Sequence, residues 1–431
     1  MIEYIKQLFS IEDFRKRLIY TLLMLGIYRL GSHIPLPGID ATALQDFFKS
    51  FQGTIFYLYD IFSGGNLARM TLFALGVMPY ISASIMMQLL TVAVPELQRL
   101  AKEEGDYGRY KINQYTRYLT VLVAFVQSVG IATWLQGQVS PKGTPIVPEG
   151  GFLFTLTTIV ALVSSTMFLV WVGDRITEKG IGNGMSLLIF AGIVAGFPSA
   201  GIRVWEMLKN GDLSPFAVVG AVLFVIAVVV GIVFMQEAER RIPIQYPRRQ
   251  IGRQEVVGSS SYLPIKINPA GVIPIIFAQS LLIIPSTVLG FIQHPIAKAI
   301  HDAFNPMTLP YNILYIAFIV FFTYFYTAVL INPVDVADNL KKAGAFIPGI
   351  RPGQDTQKYL EYTVNRLAFV GALFLSVVAV VPIFVSAWLK VPFYFGGTTA
   401  LIVVGVALDT INKLEAQLLQ QRYTRYRRKV R

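Results

Sequence analysis

Long apolar runs alternate with short polar or Gly/Pro-rich connections along nearly the whole chain. A helix needs about 20 predominantly apolar residues to cross a hydrocarbon core. Ten apolar segments can be placed, each to within a few residues at its ends. They cover residues 18–30, 72–94, 118–135, 152–172, 185–197 and onward, 216–235, 270–292, 311–331, 367–389 and 398–408. The pattern therefore predicts an all-α polytopic membrane protein with ten transmembrane helices.

The second segment is preceded by a stretch that is too polar and too short to cross the membrane. Residues 60–69 carry Asp60, Gly64, Gly65, Asn66 and Arg69. A half-helix that enters the membrane without crossing must be sheltered by protein or must line a watery cavity, because lipid offers no partner for its free backbone groups. The sequence therefore predicts a re-entrant half-helix at 60–69, next to a functional cavity.

Composition and charge agree with the membrane class and suggest an orientation. Of 431 residues, 54% are hydrophobic and only 14% charged, and the formal net charge is +12. Lysines and arginines near membrane spans concentrate on the cytoplasmic side. If the N-terminus is cytoplasmic, 29 of the 37 lysines and arginines fall in cytoplasmic connections or tails. This bias favours ten spans with both termini in the cytoplasm.

Irregular segments recur at corresponding places in the two halves of the chain. The fifth and tenth segments are short, and Pro79 and Pro274 lie inside the second and seventh. Such paired irregularities are typical of inverted repeats, although no repeat is evident residue by residue. We expect a half formed by residues 1–210, a second formed by 211–414, and a mobile basic tail at 415–431.

Two connections on the predicted cytoplasmic side are unusually long. They cover residues 236–268 and 332–365. The first alternates apolar and polar residues around Pro243 and Pro247, which predicts an extended, hairpin-like projection.

Catalytic chemistry finds little support in the sequence. The chain has no cysteine, its histidines His33, His294 and His301 lie in predicted external connections, and no phosphate-binding P-loop motif is present. We therefore expect no enzyme activity, no metal site and no cofactor. An ion-coupled transporter would need ionisable groups near mid-membrane, but Arg29 and Asp409 lie close to span ends. An ion-coupled transporter and a structural or assembly membrane protein remain alternatives.

Several runs resemble the SecY family of bacterial protein-translocation channels. They are FSGGNLARMTLFALGVMPYISASIMMQLLT, RYKINQYTRY, RITEKGIGNGMS, INPAGVIPIIFAQS, NPVDVADNLKKAGAFIPGIRPG and KVPFYFGGTTALIVV. The resemblance implies two pseudo-symmetric inverted halves that are hinged between the fifth and sixth helices around a central hourglass pore. It further implies a passive channel in the bacterial inner membrane that translocates unfolded polypeptides and releases transmembrane segments laterally into lipid.

The resemblance also assigns residues to parts of the channel. The plug falls on Asp60, Ile61, Phe62, Ser63, Gly64, Gly65, Asn66, Leu67, Ala68 and Arg69. The pore ring falls on Val77, Ile81, Met185, Ile189, Ile276, Ile402 and Ala407, although Ala407 lacks the bulk expected there. Polar residues of the lateral gate are Ser82, Ser84, Gln88 and Thr91, with Gln279 facing them. The docking surface comprises Arg240, Arg241, Arg248, Arg249, Arg253, Lys341, Lys342 and Arg351.

Partners implied by the resemblance supply both the energy and the substrates. They are SecE-like and SecG-like small membrane subunits, the SecA motor ATPase and the ribosome, whose RNA the basic loops would contact. Secretory signal sequences and nascent membrane proteins are the expected substrates, and membrane lipid borders the gate.

Overall fold

The computed structural model describes residues 12–49, 60, 63–246, 249–251, 254–256, 260–290, 305, 308–389 and 396–429. These residues are mostly helical. The helices are α1 (Glu12–Gly31), α2 (Ala41–Lys49), α3 (Met78–Ala93), α4 (Pro95–Glu103), α5 (Gly105–Gln136), α6 (Phe152–Lys179), α7 (Gly184–Ala195), α8 (Phe197–Asn210), α9 (Pro215–Glu237), α10 (Ile273–Gly290), α11 (Leu309–Leu330), α12 (Pro333–Lys342), α13 (Gln354–Leu389) and α14 (Gly397–Lys429). The strands are β1 (Glu239–Gln245), β2 (Arg249–Ile251), β3 (Gln254–Val256) and β4 (Ser260–Lys266).

Within the described residues, seven helical stretches are long and apolar enough to span a membrane, and the bent pair α3–α4 would make eight. The predicted segments that remain, the first and the seventh, correspond to α1 and α10. Helix α1 begins with a charged turn that includes Glu12 and Asp13. The apolar stretch of α10 is short in the described part, Ile273–Leu282. Large apolar side chains such as Phe216 on α9 are almost fully exposed, as expected of a lipid-facing surface.

The second and seventh segments begin as helices later than the hydrophobic pattern suggested. Helix α3 starts at Met78 rather than near residue 72, so Pro79 occupies its first turn instead of its interior. Pro274 likewise lies in the first turn of α10. Proline is tolerated there because the first turn has no partner for its backbone N–H. The prolines therefore start these helices and do not kink them.

The chain forms two compact units. One consists of Met1–Asp212, Ser280–Tyr311 and Val406–Arg431, and the other of Leu213–Gln279 and Asn312–Gly405. The predicted division into residues 1–210, 211–414 and a tail remains a prediction. Helix α14 continues to Lys429, so the basic tail is helical as far as that residue, and its mobility stays a prediction.

Small residues bring the helices of the first unit close together. A Cβ atom on Gly184 of α7 would collide with the backbone of Gly173 on α6. The side chain of Asn183 caps α7 by accepting hydrogen bonds from the backbone N–H groups of Met185 (3.1 Å) and Ser186 (3.3 Å). Close backbone approach, as at Gly173 and Gly184, is the usual means of packing helices in lipid, where the hydrophobic effect does not drive helices to associate.

Candidate functional site

The plug segment, residues 60–69, leaves the helical conformation at a pair of glycines. Asp60 and Ser63 are helical, but Gly64 and Gly65 have φ values of 76° and 78°. Glycine adopts this left-handed region without steric cost. The half-helix expected over 60–69 therefore ends at Gly64, and the chain continues in turns. Two residues assigned to the plug, Ile61 and Phe62, lie outside the described residues.

Local hydrogen bonds fold the plug segment into a compact body. One carboxylate oxygen of Asp60 accepts a bond from the backbone N–H of Ala68 at 2.8 Å. The Ser63 hydroxyl accepts from the N–H groups of Asn66 and Leu67, both at 3.2 Å, and donates to the carbonyl of Asp60 at 2.9 Å. These bonds satisfy backbone donors that would otherwise be unpaired in a buried turn.

A buried tyrosine on α1 forms the seat of the plug segment. The Tyr28 hydroxyl donates to the carbonyl of Ser63 at 3.3 Å and lies 3.5 Å from the side-chain nitrogen of Asn66, which also donates to that carbonyl. The amide oxygen of Asn66 accepts from the Thr71 hydroxyl at 3.2 Å. The Tyr28 ring stacks on Phe73, with ring centroids 5.8 Å apart. All five residues are buried.

The plug segment also touches α7 through two glycines. A Cβ atom on Gly64 would lie 2.7 Å from the Cα atom of Gly192 and 3.1 Å from its carbonyl oxygen. A Cβ atom on Gly192 would lie 2.9 Å from the Tyr28 hydroxyl. Neither position has room for a side chain while the plug segment occupies this seat.

A short backbone bridge fixes the C-terminal end of the plug segment. The N–H of Leu36 donates to the carbonyl of Met70 at 2.9 Å. The N–H of Leu72 donates to the carbonyl of Ile34 at 3.0 Å, and the hydroxyl of Ser165 donates to the carbonyl of Leu72. Met70 has a φ of 46°, which is rare for a residue other than glycine. The chain thus reverses sharply between the plug segment and its anchored end.

The seven predicted ring residues are divided between the two compact units. Val77, Ile81, Met185, Ile189 and Ala407 belong to the first unit, and Ile276 and Ile402 belong to the second. Most of them are buried, whereas Met185, Ile276 and Ala407 are half-buried. The sulfur of Met185 lies where a Cβ atom on Gly173 would fall. Their convergence on a single ring remains a prediction.

The predicted gate residues on α3 lie along its length with mixed exposure. Ser82 is buried, and Ser84, Gln88 and Thr91 are half-buried. The Gln88 amide donates to the Ser84 hydroxyl at 3.3 Å, so these two residues bond along their own helix. Gln279 on α10 is buried, and its amide oxygen accepts no hydrogen bond from the described residues. Contact across a gate stays a prediction.

The two long connections pack together into one structure within the second unit, which we call the two-loop platform (β1, β4, α12 and the first turns of α13). Strands β1 and β4 form the antiparallel ladder of a hairpin, which confirms the extended projection predicted for residues 236–268. The backbone of Gln245 exchanges two hydrogen bonds with Phe346. The apolar cluster of the platform contains Ile242, Ile265, Ala337, Ile347, Leu360 and Val364.

The platform presents cations on a well-supported backbone. Arg240 and Arg351 are exposed, as are Lys341 and Lys342 in the last turn of α12. The backbone carbonyl of Arg351 accepts a hydrogen bond from the Thr356 hydroxyl at 2.9 Å. This bond fixes the backbone at Arg351, while the Arg351 guanidinium stays in solvent.

Other docking candidates are paired or cannot be described. Arg241 pairs with Glu239 at 2.7 Å and lies over the ring of Tyr262. The backbone of Arg249 lies in β2, and Arg248 and Arg253 lie outside the described residues.

Two features of the site were missed in the sequence. Tyr28 was read only as part of an apolar span, and a tyrosine on such a span gives no sign of its distant partner. The second feature is a repeat, GVMPYI at residues 76–81 and GVIPII at residues 271–276. Its glycines have φ values of 56° and 60° just before α3 and α10, and its last positions are Ile81 and Ile276. This repeat is a signal in the sequence for the prediction that Ile81 and Ile276 occupy equivalent ring positions.

Comparison with known proteins gives strong matches over the whole chain. The SecY family matches residues 71–411. The chain is 67% identical over 429 residues to the protein translocase subunit SecY of Aquifex aeolicus (strain VF5), with 100% of both chains covered. It is 45% identical over 418 residues to the protein translocase subunit SecY of Escherichia coli (strain K12), covering 96% of this chain and 94% of that protein.

Solved structures share the fold at much lower identity. One, described as the structure of a protein conducting channel, has a TM-score of 0.66 and 18% identity and covers 93% of this chain and 92% of its own. Another, of Sec61 in the canine ribosome-channel complex from the endoplasmic reticulum, has a TM-score of 0.62 and 16% identity with the same coverage. These likenesses confirm the predicted polytopic helical channel fold. Because the family match spans most of the chain and close relatives match its full length, this chain belongs to the SecY family.

Proposed function

We propose that this chain is the passive channel subunit of a protein translocase. It carries unfolded polypeptides across the bacterial cytoplasmic membrane and releases transmembrane segments into the lipid, without catalysing a reaction itself. The observation that carries this proposal is the plug segment, a compact body seated on Tyr28 beside a helix that begins only at Met78. Ring, gate and docking roles are proposed on the residues that the family resemblance assigns.

The seat is weak enough to be released by an entering chain. Two neutral hydrogen-bond contacts link Tyr28 to Ser63 and Asn66. A typical neutral hydrogen bond contributes about 0.5–1.5 kcal/mol net, so these contacts together stabilise the closed plug by only about 1–3 kcal/mol. Met70 and the backbone bridge behind it would be the fixed end about which the plug segment swings.

The aliphatic ring suits a pore that must pass any polypeptide sequence. Residues such as Val77, Ile81 and Ile189 offer an ion no ligand to replace its hydration shell, and a narrow apolar constriction closes by dewetting. They also form no hydrogen bond or ion pair with a passing chain. A polypeptide can therefore slide through while the ring limits the leak of ions around it.

Lateral release follows from partitioning once a chain has access to lipid. An apolar residue gains about 0.3–0.6 kcal/mol at the membrane centre, and a charged one costs about 2.5–3.5 kcal/mol. Ten net apolar residues therefore favour lipid by about 3–6 kcal/mol, and one or two charges cancel that gain. The buried amide oxygen of Gln279, which accepts no hydrogen bond within the described part of the chain, supports a polar seam at the proposed gate.

Energy must come from partners that dock on the predicted cytoplasmic face. We assign this role to the two-loop platform, whose exposed cations include Arg351. A SecA motor or a ribosome would bind there, and ribosomal RNA would be held mainly through its phosphates. SecE-like and SecG-like subunits complete the proposed complex, and both termini of this chain lie in the cytoplasm.

A single-cysteine experiment tests passage through the ring. The natural chain has no cysteine, so Ile81→Cys can be reconstituted with partner subunits and motor, and a secretory chain carrying one cysteine can be arrested midway. We expect an ATP-dependent disulfide between the two chains. Leu223→Cys on the lipid-facing side of α9 is the matched control and should give none.

The outcome also discriminates the alternatives. If no substrate position links to Ile81→Cys while translocation proceeds, the polypeptide follows another route. The ring assignment would then fail, and the transporter and assembly roles would again be open.

A further inference from the structure

A groove of about 780 Å³ lies between α5 and α6, and its lining residues do not include the plug segment. Val121, Met167 and Val170 line its apolar part and belong to the predicted membrane segments 118–135 and 152–172. Arg117 and Asp174 lie just beyond the ends of these segments and also line it. The groove therefore crosses the boundary between the hydrocarbon core and the headgroup region.

The part of the groove beyond the membrane segments, at the depth of the lipid headgroups, holds two cations and two anions. Arg117 pairs with Asp174 at 2.7 Å and joins the two helices, and Arg175 pairs with Glu178 at 2.8 Å within α6. A guanidinium has five N–H donors and a carboxylate about four acceptor sites. Each ion pair therefore leaves donors and acceptors available, and the formal charge of the four groups is zero.

Aromatic and amide side chains complete the wall. Trp171 and Tyr118 are well exposed in the groove, and Tyr118 accepts a hydrogen bond at 2.7 Å from the Gln114 amide. Arg175 lies over the Trp171 ring at 5.8 Å from its centroid. Trp and Tyr are enriched at this depth in membrane proteins because their rings are apolar and their tips polar.

We propose that this groove is a specific site for one membrane phospholipid with a phosphoethanolamine headgroup. Arg117 and Arg175 donate to the phosphate, and the carboxylates of Asp174 and Glu178 accept from the primary ammonium group. The first part of an acyl chain lies along Val121 and Met167. The site goes beyond the proposed channel function, which requires lipid only as the medium beside the gate.

The charge pattern favours this headgroup over the other common ones. A purely anionic headgroup would meet two carboxylates as well as two guanidiniums, so it would gain little. A phosphocholine headgroup has the same net charge, but its quaternary nitrogen has no N–H to donate. A primary ammonium has three donors, which the two carboxylates can accept.

Lipid retention by the purified translocase complex tests the site. The delipidated complex would be titrated with phosphatidylethanolamine, phosphatidylcholine or phosphatidylglycerol of identical acyl chains, and bound lipid counted by native mass spectrometry. We expect one retained phosphatidylethanolamine with an affinity about tenfold above that of phosphatidylcholine, as one charge-assisted hydrogen bond provides. Phosphatidylglycerol should bind more weakly than phosphatidylethanolamine.

Three variants separate headgroup recognition from helix packing. Glu178→Gln removes one of the two carboxylates and should reduce the difference between the ethanolamine and choline lipids, and it removes only a contact within α6. Arg117→Gln should weaken retention of both lipids about tenfold. Arg109→Gln removes an exposed cation of α5 that does not line the groove and should change nothing.

A charge-swapped double variant controls for the structural role of the ion pair between Arg117 and Asp174. The double variant Arg117→Asp with Asp174→Arg can restore an ion pair between α5 and α6, but it places a carboxylate where the phosphate should bind. We expect normal complex stability and lost lipid retention. Equal binding of the ethanolamine and choline lipids to the natural protein, preference for phosphatidylglycerol, or unchanged retention by Arg117→Gln would each overturn the proposal.

Discussion

The contact between Gly64 and Gly192 offers a direct way to unseat the plug segment. Gly64→Ala would place a methyl group 2.7 Å from the Cα atom of Gly192 and 3.1 Å from its carbonyl oxygen. Gly65→Ala is a matched control, because its φ of 78° is almost the same and, among the described residues, its added methyl would meet only the Arg69 side chain, at 3.5 Å. The added methyl of Gly64→Ala would also lie 3.1 Å from the Tyr28 hydroxyl. Comparison of the two variants therefore separates the contacts of the seat, with α7 and with Tyr28, from backbone strain.

The expected difference follows from these distances. Both alanines would be held in the left-handed region, which costs about 1–2 kcal/mol for a residue with a Cβ atom. Only Gly64→Ala adds a steric overlap, since unstrained carbon atoms lie about 3.5–4.0 Å apart. Such overpacking usually costs about 1–3 kcal/mol, which would raise the ratio of open to closed plug about 5- to 150-fold above that of Gly65→Ala.

Ion conductance of the reconstituted complex in planar bilayers, without motor or substrate, measures this ratio. We expect a small leak from Gly65→Ala and a much larger leak from Gly64→Ala. The amount of assembled complex must be the same for both variants, so that conductance is compared per channel. A folding defect would lower the number of channels and would therefore reduce the conductance, not raise it. If Gly64→Ala conducts no more than Gly65→Ala, the seat on α7 does not hold the plug segment closed.

Further changes test the seat, the ring and the platform. Tyr28→Phe should weaken the seat by about 1 kcal/mol and give a leak that is measurable in the same bilayers; no leak would exclude its hydroxyl as a latch. Ile276→Asn should loosen the closed ring and allow export of substrates with defective signal sequences, so unchanged leak and export would contradict the ring assignment. Arg351→Glu should reduce ATP-dependent export in vesicles, whereas Arg109→Glu, an exposed change on α5 outside the platform, should not; equal export would remove Arg351 from the docking surface. Ile242→Ala should cost about 2–5 kcal/mol and make the β1–β4 hairpin sensitive to limited proteolysis, and unchanged resistance would show that the apolar cluster does not support the platform.

Hydrophobic pattern predicted the number and order of the membrane segments because each must be continuous in sequence to cross lipid. Helix starts were less predictable. Residues 72–77 are apolar and fit a helix by composition, yet they form turns ahead of α3. The left-handed Gly76 and the first-turn Pro79 decide where that helix begins. Hydrophobicity reports where a segment is buried but not the backbone conformation that it takes there.

Contacts between distant residues account for what the sequence could not supply. Tyr28 and Asn66 are separated by 38 positions, and no local pattern marks either as the partner of the other. No local pattern links the two long connections, whereas the bridge between Gln245 and Phe346 joins them. Family resemblance placed residues in the plug and the platform, but only the folded chain shows which side chains hold them.

The two parts of the site differ in how firmly they are held, and the difference fits their proposed roles. The platform rests on a cluster of nearly fully buried side chains, among them Ile242 and Leu360. Loss of one such side chain costs about 2–5 kcal/mol, so a docking partner would meet a stiff surface that can transmit force. The plug segment is seated through neutral hydrogen bonds, a glycine contact and the buried side chain of Leu67. Each neutral hydrogen bond contributes about 0.5–1.5 kcal/mol and the buried leucine about 1.5–3 kcal/mol, so no single contact holds the plug segment firmly. A firmer seat would seal better but would also have to be broken each time a polypeptide enters, so a frequently opened channel requires a plug segment that is held less firmly than its docking platform.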